Sequence, residues 1–218
     1  MPSNQSIEQF LADTRLALTN AKEPRIQTHV AAYGLQPDHL DAGLDLLDEA
    51  EAAYARYRTE HQENSVAIAT HQEALAAFET QYVRHVKLLR VVFEEDPHAF
   101  ERLGLSGTRP RTQAGLLSAG EQMYRMLQEN ESLQEQAATV TVTPEAVQAA
   151  LDQIAEVEAL YRDRKTEKSD AEASTEARND AIAQLSGWMF DFWRITDVAL
   201  EPNPQLKEML GRTEPSRT

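Results

Sequence analysis

The sequence predicts an all-α protein: a helical bundle from a tandem duplication, with two very long antiparallel helices, short flanking helices and a pseudo-twofold axis. Three observations support this prediction. Glycine and proline account for only 8 and 9 of the 218 residues, and alanine is abundant, a composition that favours helix. No useful length of chain alternates apolar and polar residues with the period of a strand. The chain also contains an internal repeat.

The repeat is clearest where PDHLDAGLDLLDEAEAAY (37–54) aligns with PEAVQAALDQIAEVEALY (144–161), because 8 of the 18 aligned residues are identical. The offset of 107 residues then persists without a gap to the Leu-Gly pairs that end in Gly104 and Gly211. Two unrelated segments would not keep one ungapped alignment over such a length. We therefore expect two helical repeats, repeat one (1–107) and repeat two (108–218), packed together as one elongated domain.

Each repeat predicts the same order of helices. A first helix and a short second helix come at about 6–21 and 24–33 in repeat one, and at about 112–130 and 132–138 in repeat two. Pro37 and Pro144 then occupy the first position of a long helix, where a missing N–H costs no hydrogen bond. Thr143 is a good N-cap in front of Pro144, whereas Gln36 is a poor one in front of Pro37.

The long helices are expected to be continuous. Residues 44–96 contain no glycine or proline, and apolar residues follow heptad-like steps on either side of a polar middle. A helix of roughly 55 residues is about 80 Å long, and helices of this length usually pair as coiled coils. The polar middles, RYRTEHQENS and RDRKTEKSDAEAST, could form a hinge instead. Since neither contains a helix breaker, we favour a continuous helix.

A proline opens a last short helix after each long one, in PHAFERLGL and PQLKEMLGR. Both segments end in Leu-Gly, so Gly104 and Gly211 are predicted to stop these helices at the C′ position.

The composition excludes several classes of function. The net charge is -15 and no basic stripe offsets it, so we do not expect nucleic-acid binding. The lack of cysteine excludes disulfides, thiol catalysis and cysteine-ligated metals. No signal peptide or membrane-spanning run is recognisable, so we expect a cytoplasmic protein that does not enter a membrane. The acidic, lysine-poor surface suits a salty cytoplasm, but a GC-rich genome explains it equally well.

Several segments resemble a group of uncharacterised bacterial all-helical proteins with duplicated long helices that end in Leu-Gly. They are LGLSGTRP after the first long helix, LLSAGEQMYRML in the next helix and TPEAVQAAL at the start of the second long helix. These motifs are structural, so the resemblance implies the helical fold but no activity, cofactor or catalytic residue. Repeat one departs from the pattern, because Ala17 stands where repeat two has Tyr124.

No catalytic, cofactor-binding or metal-ligating residue is predicted. The sequence has no Walker loop, Rossmann glycine set or Gly-x-Ser-x-Gly motif. Its Glu-x-x-His match, Glu95 to His98, straddles Pro97 and so does not display both ligands on one helical face. None of the six histidines recurs in the other repeat, so a duplicated metal centre is not expected. A single asymmetric site stays open as an alternative.

Aromatic residues are concentrated in GWMFDFW (187–193), which holds both tryptophans. Trp193 lies on the main apolar stripe of its helix and Trp188 on an adjacent stripe, so we interpret both as core residues rather than as part of a cofactor site. Tyr54 and Tyr161 recur at one stripe position. We interpret them as core aromatics with the hydroxyl at the edge, where a partner can reach it.

Val83 and Phe190 are predicted interface residues. Each is an apolar residue on an otherwise polar lane of its helix, and the two positions correspond in the repeats. A lone exposed phenylalanine is also commonplace. The predicted function is a non-enzymatic structural or protein-interaction module with a protein partner, a homodimer being one form of this association. The alternative is a small-ligand- or metal-binding helical bundle, enzymatic or not, that uses one asymmetric His/Glu cluster.

Overall fold

The computed structural model describes residues 6–212, and this part of the chain contains helices, turns and loops but no strand. In chain order the helices are α1 (Ile7–Ala21), α2 (Pro24–Val30), a 3-10 helix (Ala31–Tyr33), α3 (Pro37–Val92), α4 (Pro97–Arg102), α5 (Gln113–Glu129), α6 (Glu131–Ala138), α7 (Pro144–Ala199) and α8 (Gln205–Met209). The predicted all-α bundle with two very long helices is confirmed. None of the described helices combines the length and apolarity needed to cross a lipid bilayer.

The long helices α3 and α7 each span 56 residues and run unbroken through their polar middles, so the prediction of continuity is confirmed. Both begin at a proline, Pro37 or Pro144. The hydroxyl of Thr143 accepts a hydrogen bond from the amide of Ala146 at 3.3 Å, as an N-cap does. The Gln36 side chain turns back instead, and its amide donates to the carbonyl of Ala31 at 2.9 Å.

The helix ends of the two repeats correspond in position. Adding the offset of the sequence repeat to the first and last residues of α3 gives the first and last residues of α7. The backbone φ angle is positive at Gly104 (65°) and Gly211 (87°), where the left-handed conformation ends the short helices α4 and α8. The turn before each long helix also contains one residue with positive φ, Gly34 (96°) in repeat one and Thr141 (70°) at the corresponding place in repeat two.

The chain forms two compact units that do not coincide with the two repeats. The terminal unit combines Met1–His61 with Asp170–Thr218, and the middle unit is Gln62–Ser169. The boundaries fall inside α3 and α7, within the polar middles. Each unit therefore contains the first part of one repeat and the last part of the other.

In the terminal unit, α3 and α7 pack in antiparallel directions. The rings of His39 and Trp188 stack with centroids 5.3 Å apart. Further along α3, the Tyr57 ring lies 3.9 Å from the guanidinium of Arg178 on α7. Residue numbers rise on one helix as they fall on the other, which defines the antiparallel pair.

The middle unit repeats this arrangement with the other ends of the same helices. The ring of His71 on α3 lies 5.7 Å from that of Tyr161 on α7. Further along, Phe78 of α3 and Ile154 of α7 both approach Gly120 of α5. Each unit has a hydrophobic core of its own, and the short helices that flank the long ones contribute to it.

A glycine lets a large ring fit between the long helices in the terminal unit. A Cβ atom on Gly43 of α3 would lie 2.6 Å from Cη2 of Trp188, well inside van der Waals contact. The corresponding residues of the middle unit are Ala150 and Gln81. The middle unit thus has a larger residue in place of the glycine and a smaller residue in place of the tryptophan.

A second glycine has the same role in the middle unit. A Cβ atom on Gly120 of α5 would lie 2.6 Å from Cζ of Phe78, which is fully buried. Asp13 and Leu185 occupy the corresponding positions of the terminal unit. In both units, a small residue from one repeat faces a large residue from the other.

We expect Gly43→Ala to lower the free energy of unfolding by about 1–2 kcal/mol, because overpacking would displace the Trp188 ring from its place. That ring stacks on both His39 and Phe192, so it has little room to move. The matched control is Gly187→Ala, since no atom lies within 4 Å of a Cβ placed there. It should raise the free energy of unfolding by about 0.5–1 kcal/mol through helix propensity alone.

Urea unfolding of both variants checks this expectation. In a Trp188→Gln background the cost of Gly43→Ala should shrink, because the ring that the new methyl group displaces is gone. If the two alanine variants proved equally stable, the close approach of Gly43 and Trp188 would be wrong.

Candidate functional site

The aromatic stretch 187–193 is only partly buried. Met189 and Phe192 lie in the core of the terminal unit, whereas Trp188 and Trp193 are partly exposed. The apolar stripe points to Trp193 as a core residue, but the fully buried ring is Phe192, and Trp193 meets it edge-on at a centroid distance of 5.0 Å. Phe190 is 63% exposed, so it is the one aromatic of the stretch that faces solvent over most of its surface.

Phe190 lines an open groove of about 460 Å³ in the terminal unit, which we call the Phe190 groove. The groove lies between α1, α7 and the turn after α8. Three aromatic side chains, a methionine and a leucine form its apolar lining, and one acid and one base form its charged lining: Phe10, Phe190, Trp193, Met189, Leu210, Asp13 and Arg212. It combines an aromatic surface with a balanced charge.

Arg212 is held in place at the edge of this groove. Its guanidinium lies 4.5 Å from the centroid of the Trp193 ring, and its Nη1 lies 2.8 Å from the Asp197 carboxylate. The hydroxyl of Ser186, also in the lining, is buried and has no hydrogen-bond partner among residues 6–212. The Ser186 hydroxyl is therefore an unsatisfied buried polar atom in the groove wall, which is rare in folded proteins.

Val83 occupies the corresponding position in the middle unit and is partly buried. It stands between two adjoining cavities of about 590 and 270 Å³, and Lys87 and Arg109 line both of them with it. We call these cavities together the Val83 groove. Five lining residues correspond to residues of the Phe190 groove: Glu79 to Ser186, Tyr82 to Met189, Val83 to Phe190, Val86 to Trp193, and Gly104 to Gly211.

Both grooves lie beside an exposed lane with the same chemical order. On α3 the lane is Val83, Lys87 and Val91; on α7 it is Phe190, Arg194 and Val198. Residues four apart lie on one face of a helix, so each lane presents an apolar, a basic and a second apolar side chain in line. Val91 is 70% exposed and Val198 57%. The basic residue and the second apolar residue of each lane are exposed in both units, whereas Val83 packs in part against the core of the middle unit.

The charges around the two grooves differ. The Val83 groove is lined by four bases and one acid: Arg84, Lys87, Arg90, Arg109 and Glu79. The residues that correspond to Arg84 and Arg90 are Asp191 and Asp197. The Val83 groove is therefore basic on an acidic chain, whereas the surroundings of Phe190 carry both signs.

A buried polar pair joins α3 to α5 in the middle unit. Nδ1 of His85 lies 2.9 Å from the hydroxyl oxygen of Tyr124, and the two residues are 7% and 0% exposed. Burial lowers the pKa of His85, and the nearby Arg84 lowers it further. Burial also raises the pKa of the Tyr124 hydroxyl, so the pair is neutral near pH 7. The terminal unit has Phe192 and Ala17 in these positions, both within its core.

His71 is the second buried histidine of the middle unit. It is 2% exposed, and its Nε2 lies 3.0 Å from Nε2 of Gln113. Its Nδ1 is buried and has no hydrogen-bond partner in the described residues. Burial lowers the pKa of His71, with a smaller contribution from Arg164. An unpartnered histidine nitrogen is the observation that best suits the alternative of a small-ligand site.

The two corresponding tyrosines have different surroundings. Tyr54 is partly buried, and its hydroxyl donates a hydrogen bond to the carboxylate of Glu8. This bond lowers the pKa of Glu8 and raises that of Tyr54. Tyr161 is 38% exposed, and the ammonium of Lys165 lies 4.8 Å from its ring centroid. Only the first fits the expected core aromatic with a hydrogen bond at its edge.

The other histidines are spread over the surface and the edges of the helices. His39 and His98 are exposed, and His29 and His61 are partly exposed. Within either compact unit taken by itself, no three His, Asp or Glu side chains from residues 6–212 lie close enough together to ligate one ion. Asp96, beside the Glu95–His98 motif, caps α4 by accepting from the amides of His98 and Ala99.

Comparisons with protein-family models, with curated proteins and with solved structures gave no significant match to this chain. The site must therefore be interpreted from its own geometry.

A double-mutant cycle tests the buried pair. Tyr124→Ala should cost about 3–5 kcal/mol, because it leaves a large cavity and an unpartnered histidine. His85→Phe should cost about 1–3 kcal/mol, because it leaves the buried hydroxyl without a partner. The double variant copies the pair found in the terminal unit, so its cost should be smaller than the sum by about 1 kcal/mol or more. Strictly additive costs in urea unfolding would show that the contact is absent.

The buried histidines also predict a pH dependence. Because their pKa values are lowered in the folded chain, the unfolded chain binds protons first as the pH falls below about 6.5. The free energy of unfolding should then decrease with falling pH, by at most about 1.4 kcal/mol per pH unit for each histidine, until the folded pKa is passed. Replacing His71 by Gln, or His85 and Tyr124 by Phe and Ala, should flatten this slope. An unchanged slope in unfolding curves between about pH 7 and 5 would contradict the burial of these rings.

Proposed function

We propose that this chain is a non-enzymatic protein-interaction module that associates with a second copy of itself through the Phe190 groove. The observation that carries the proposal is the exposed lane beside that groove, in which Phe190 and Val198 flank Arg194. A mostly exposed phenylalanine at the rim of an aromatic groove leaves apolar surface in contact with water. Covering a phenylalanine side chain contributes about 1.5–3 kcal/mol.

The charges near Phe190 suit a second copy of the same surface. Asp191 and Arg194 both follow Phe190 on α7, with their charged atoms 3.7 Å apart and the Arg194 guanidinium 5.5 Å from the centroid of the Phe190 ring. In an interface with twofold symmetry every contact occurs twice. If one residue of the first copy contacts a second residue of the partner, the same second residue of the first copy contacts the first residue of the partner. Arg194 of each copy can therefore pair with Asp191 of the other while the two Phe190 rings meet at the axis. A surface of one sign could not pair with itself in this way.

The correspondence between the repeats supports a tandem duplication as the origin of the fold. Long helices of equal length, matching left-handed turns and the two lanes all occur at one constant offset. We further propose a cytoplasmic location. We also propose that the chain has no nucleic-acid partner, because its net charge of -15 repels phosphate backbones.

Sedimentation velocity over a range of concentrations tests the self-association. The parent chain should form dimers, and Phe190→Ser should weaken the dimer at least tenfold, a loss of about 1.4 kcal/mol or more. Its helicity should persist, and its stability should stay within about 0.5 kcal/mol of the parent, because Phe190 lies on the monomer surface. The matched control is Val66→Ser, since Val66 is 58% exposed on α3 and lies outside both lanes.

A charge exchange refines the test. Arg194→Asp alone should weaken the dimer, and adding Asp191→Arg should restore it, because the pair is then reversed in both copies. A parent chain that stays monomeric up to about 100 µM, where even a weak dimer with micromolar Kd would be populated, would refute the proposal. A Phe190→Ser variant that unfolds would show that the ring is part of the monomer core.

A further inference from the structure

We propose that the Val83 groove of the middle unit binds an acidic amphipathic helix of a different protein. This goes beyond self-association at the Phe190 groove, and it uses another surface and another partner. Three features of this groove favour such a partner: its local charge, the apolar side chains between the charges and the space beside them.

The charge of the Val83 groove is not neutralised by the chain itself. Arg109 is paired with Glu79, with Nη2 2.5 Å from the carboxylate oxygen. Arg90 donates to the carbonyl oxygens of Leu105 and Gly107, both at 2.9 Å, and these neutral partners leave its charge intact. Within residues 6–212, no carboxylate lies within ion-pair distance of Arg84, Lys87 or Arg90. Three uncompensated bases thus remain on a chain whose net charge is -15.

The apolar part of the surface has the spacing of a helix face. Val83 and Val91 lie two turns apart on α3, with Lys87 between them. An amphipathic helix that lies along this lane presents its own side chains at the same spacing, so its apolar residues meet the valines and an acidic residue meets Lys87. Cavities of about 590 and 270 Å³ on the two sides of Val83 leave room for the larger side chains of such a helix.

A second copy of this surface is a poor partner. It would bring the bases Arg84, Lys87 and Arg90 of one copy against the same three of the other, and juxtaposed like charges across an interface cost several kcal/mol. Nucleic acid is a poorer fit than a helix, because its phosphates would leave Val83 and Val91 without apolar contacts. An acidic helix satisfies the bases and the valines together.

Fluorescence anisotropy with three labelled synthetic peptides tests the proposal on the full chain. The peptides share one leucine face and differ only at the flanking positions, which are glutamate, glutamine or lysine. The glutamate peptide should bind saturably and at least tenfold more tightly than the glutamine peptide, and the lysine peptide should not bind. Its affinity should fall when salt is raised from about 50 to 200 mM, since exposed charges are screened.

Point variants locate the binding. Lys87→Glu should weaken the glutamate peptide at least tenfold and Val83→Ser about fivefold or more, with helicity unchanged in both. The matched control, Arg25→Glu, reverses an exposed base of the terminal unit that lines neither groove, and it should alter the affinity less than twofold. Equal binding of the glutamate and glutamine peptides, or a Lys87→Glu variant that binds as well as the parent, would overturn the proposal.

The remaining outcomes are also decisive. A single-stranded oligonucleotide that binds in a Lys87-dependent way, while no peptide binds, would assign the groove to polyanions and overturn the inference. Failure of all probes would overturn it as well. Neither result affects self-association, because that is measured without peptide and depends on Phe190.

Discussion

The antiparallel packing of α3 against α7 within each unit is the constraint on which the rest of the structure depends. Each long helix begins in one compact unit and ends in the other, so neither repeat supplies a complete core. The first helix of repeat one packs in a unit that contains the last part of repeat two, and the first helix of repeat two packs with the last part of repeat one. The hydrophobic contacts that stabilise this chain are therefore contacts between repeats as well as within them.

Local features of the fold could be predicted because each has a local cause. Prolines at the first position, the Thr143 cap and the Leu-Gly stops fix helix ends through neighbouring backbone groups, and the repeat provides each signal twice. The packing of the first part of each repeat with the last part of the other repeat could not be predicted in this way. An apolar stripe shows which face of a helix is buried, but it does not show which other helix buries it. For the same reason the stripe singled out Trp193, although the neighbouring Phe192 is the ring that lies fully inside.

In the candidate site, too, local features could be predicted from the sequence, whereas contacts between separate segments could not. Val83 and Phe190 could be identified from sequence, because each is an apolar residue among polar neighbours on its helix face. The grooves themselves also need other segments: α1, from the opposite end of the sequence, lines the Phe190 groove, and the turns after α8 and α4 line the Phe190 and Val83 grooves respectively. The His85–Tyr124 pair could be noticed only in part from the sequence. His85 differs in type from its counterpart Phe192, and Tyr124 differs from its counterpart Ala17. Only the fold shows that these two differences are one contact.

The matched sizes of these contacts have a genetic consequence. Two similar segments in one coding sequence invite recombination that deletes one of them. A chain reduced to repeat one would have to complete its core with itself, and Asp13 would then meet Phe78 where Gly120 now leaves room. A chain reduced to repeat two would press Ala150 against Trp188, where Gly43 now gives way. At these positions each half fits the other better than it would fit a copy of itself, so a chain that lost either half would have to overpack its core.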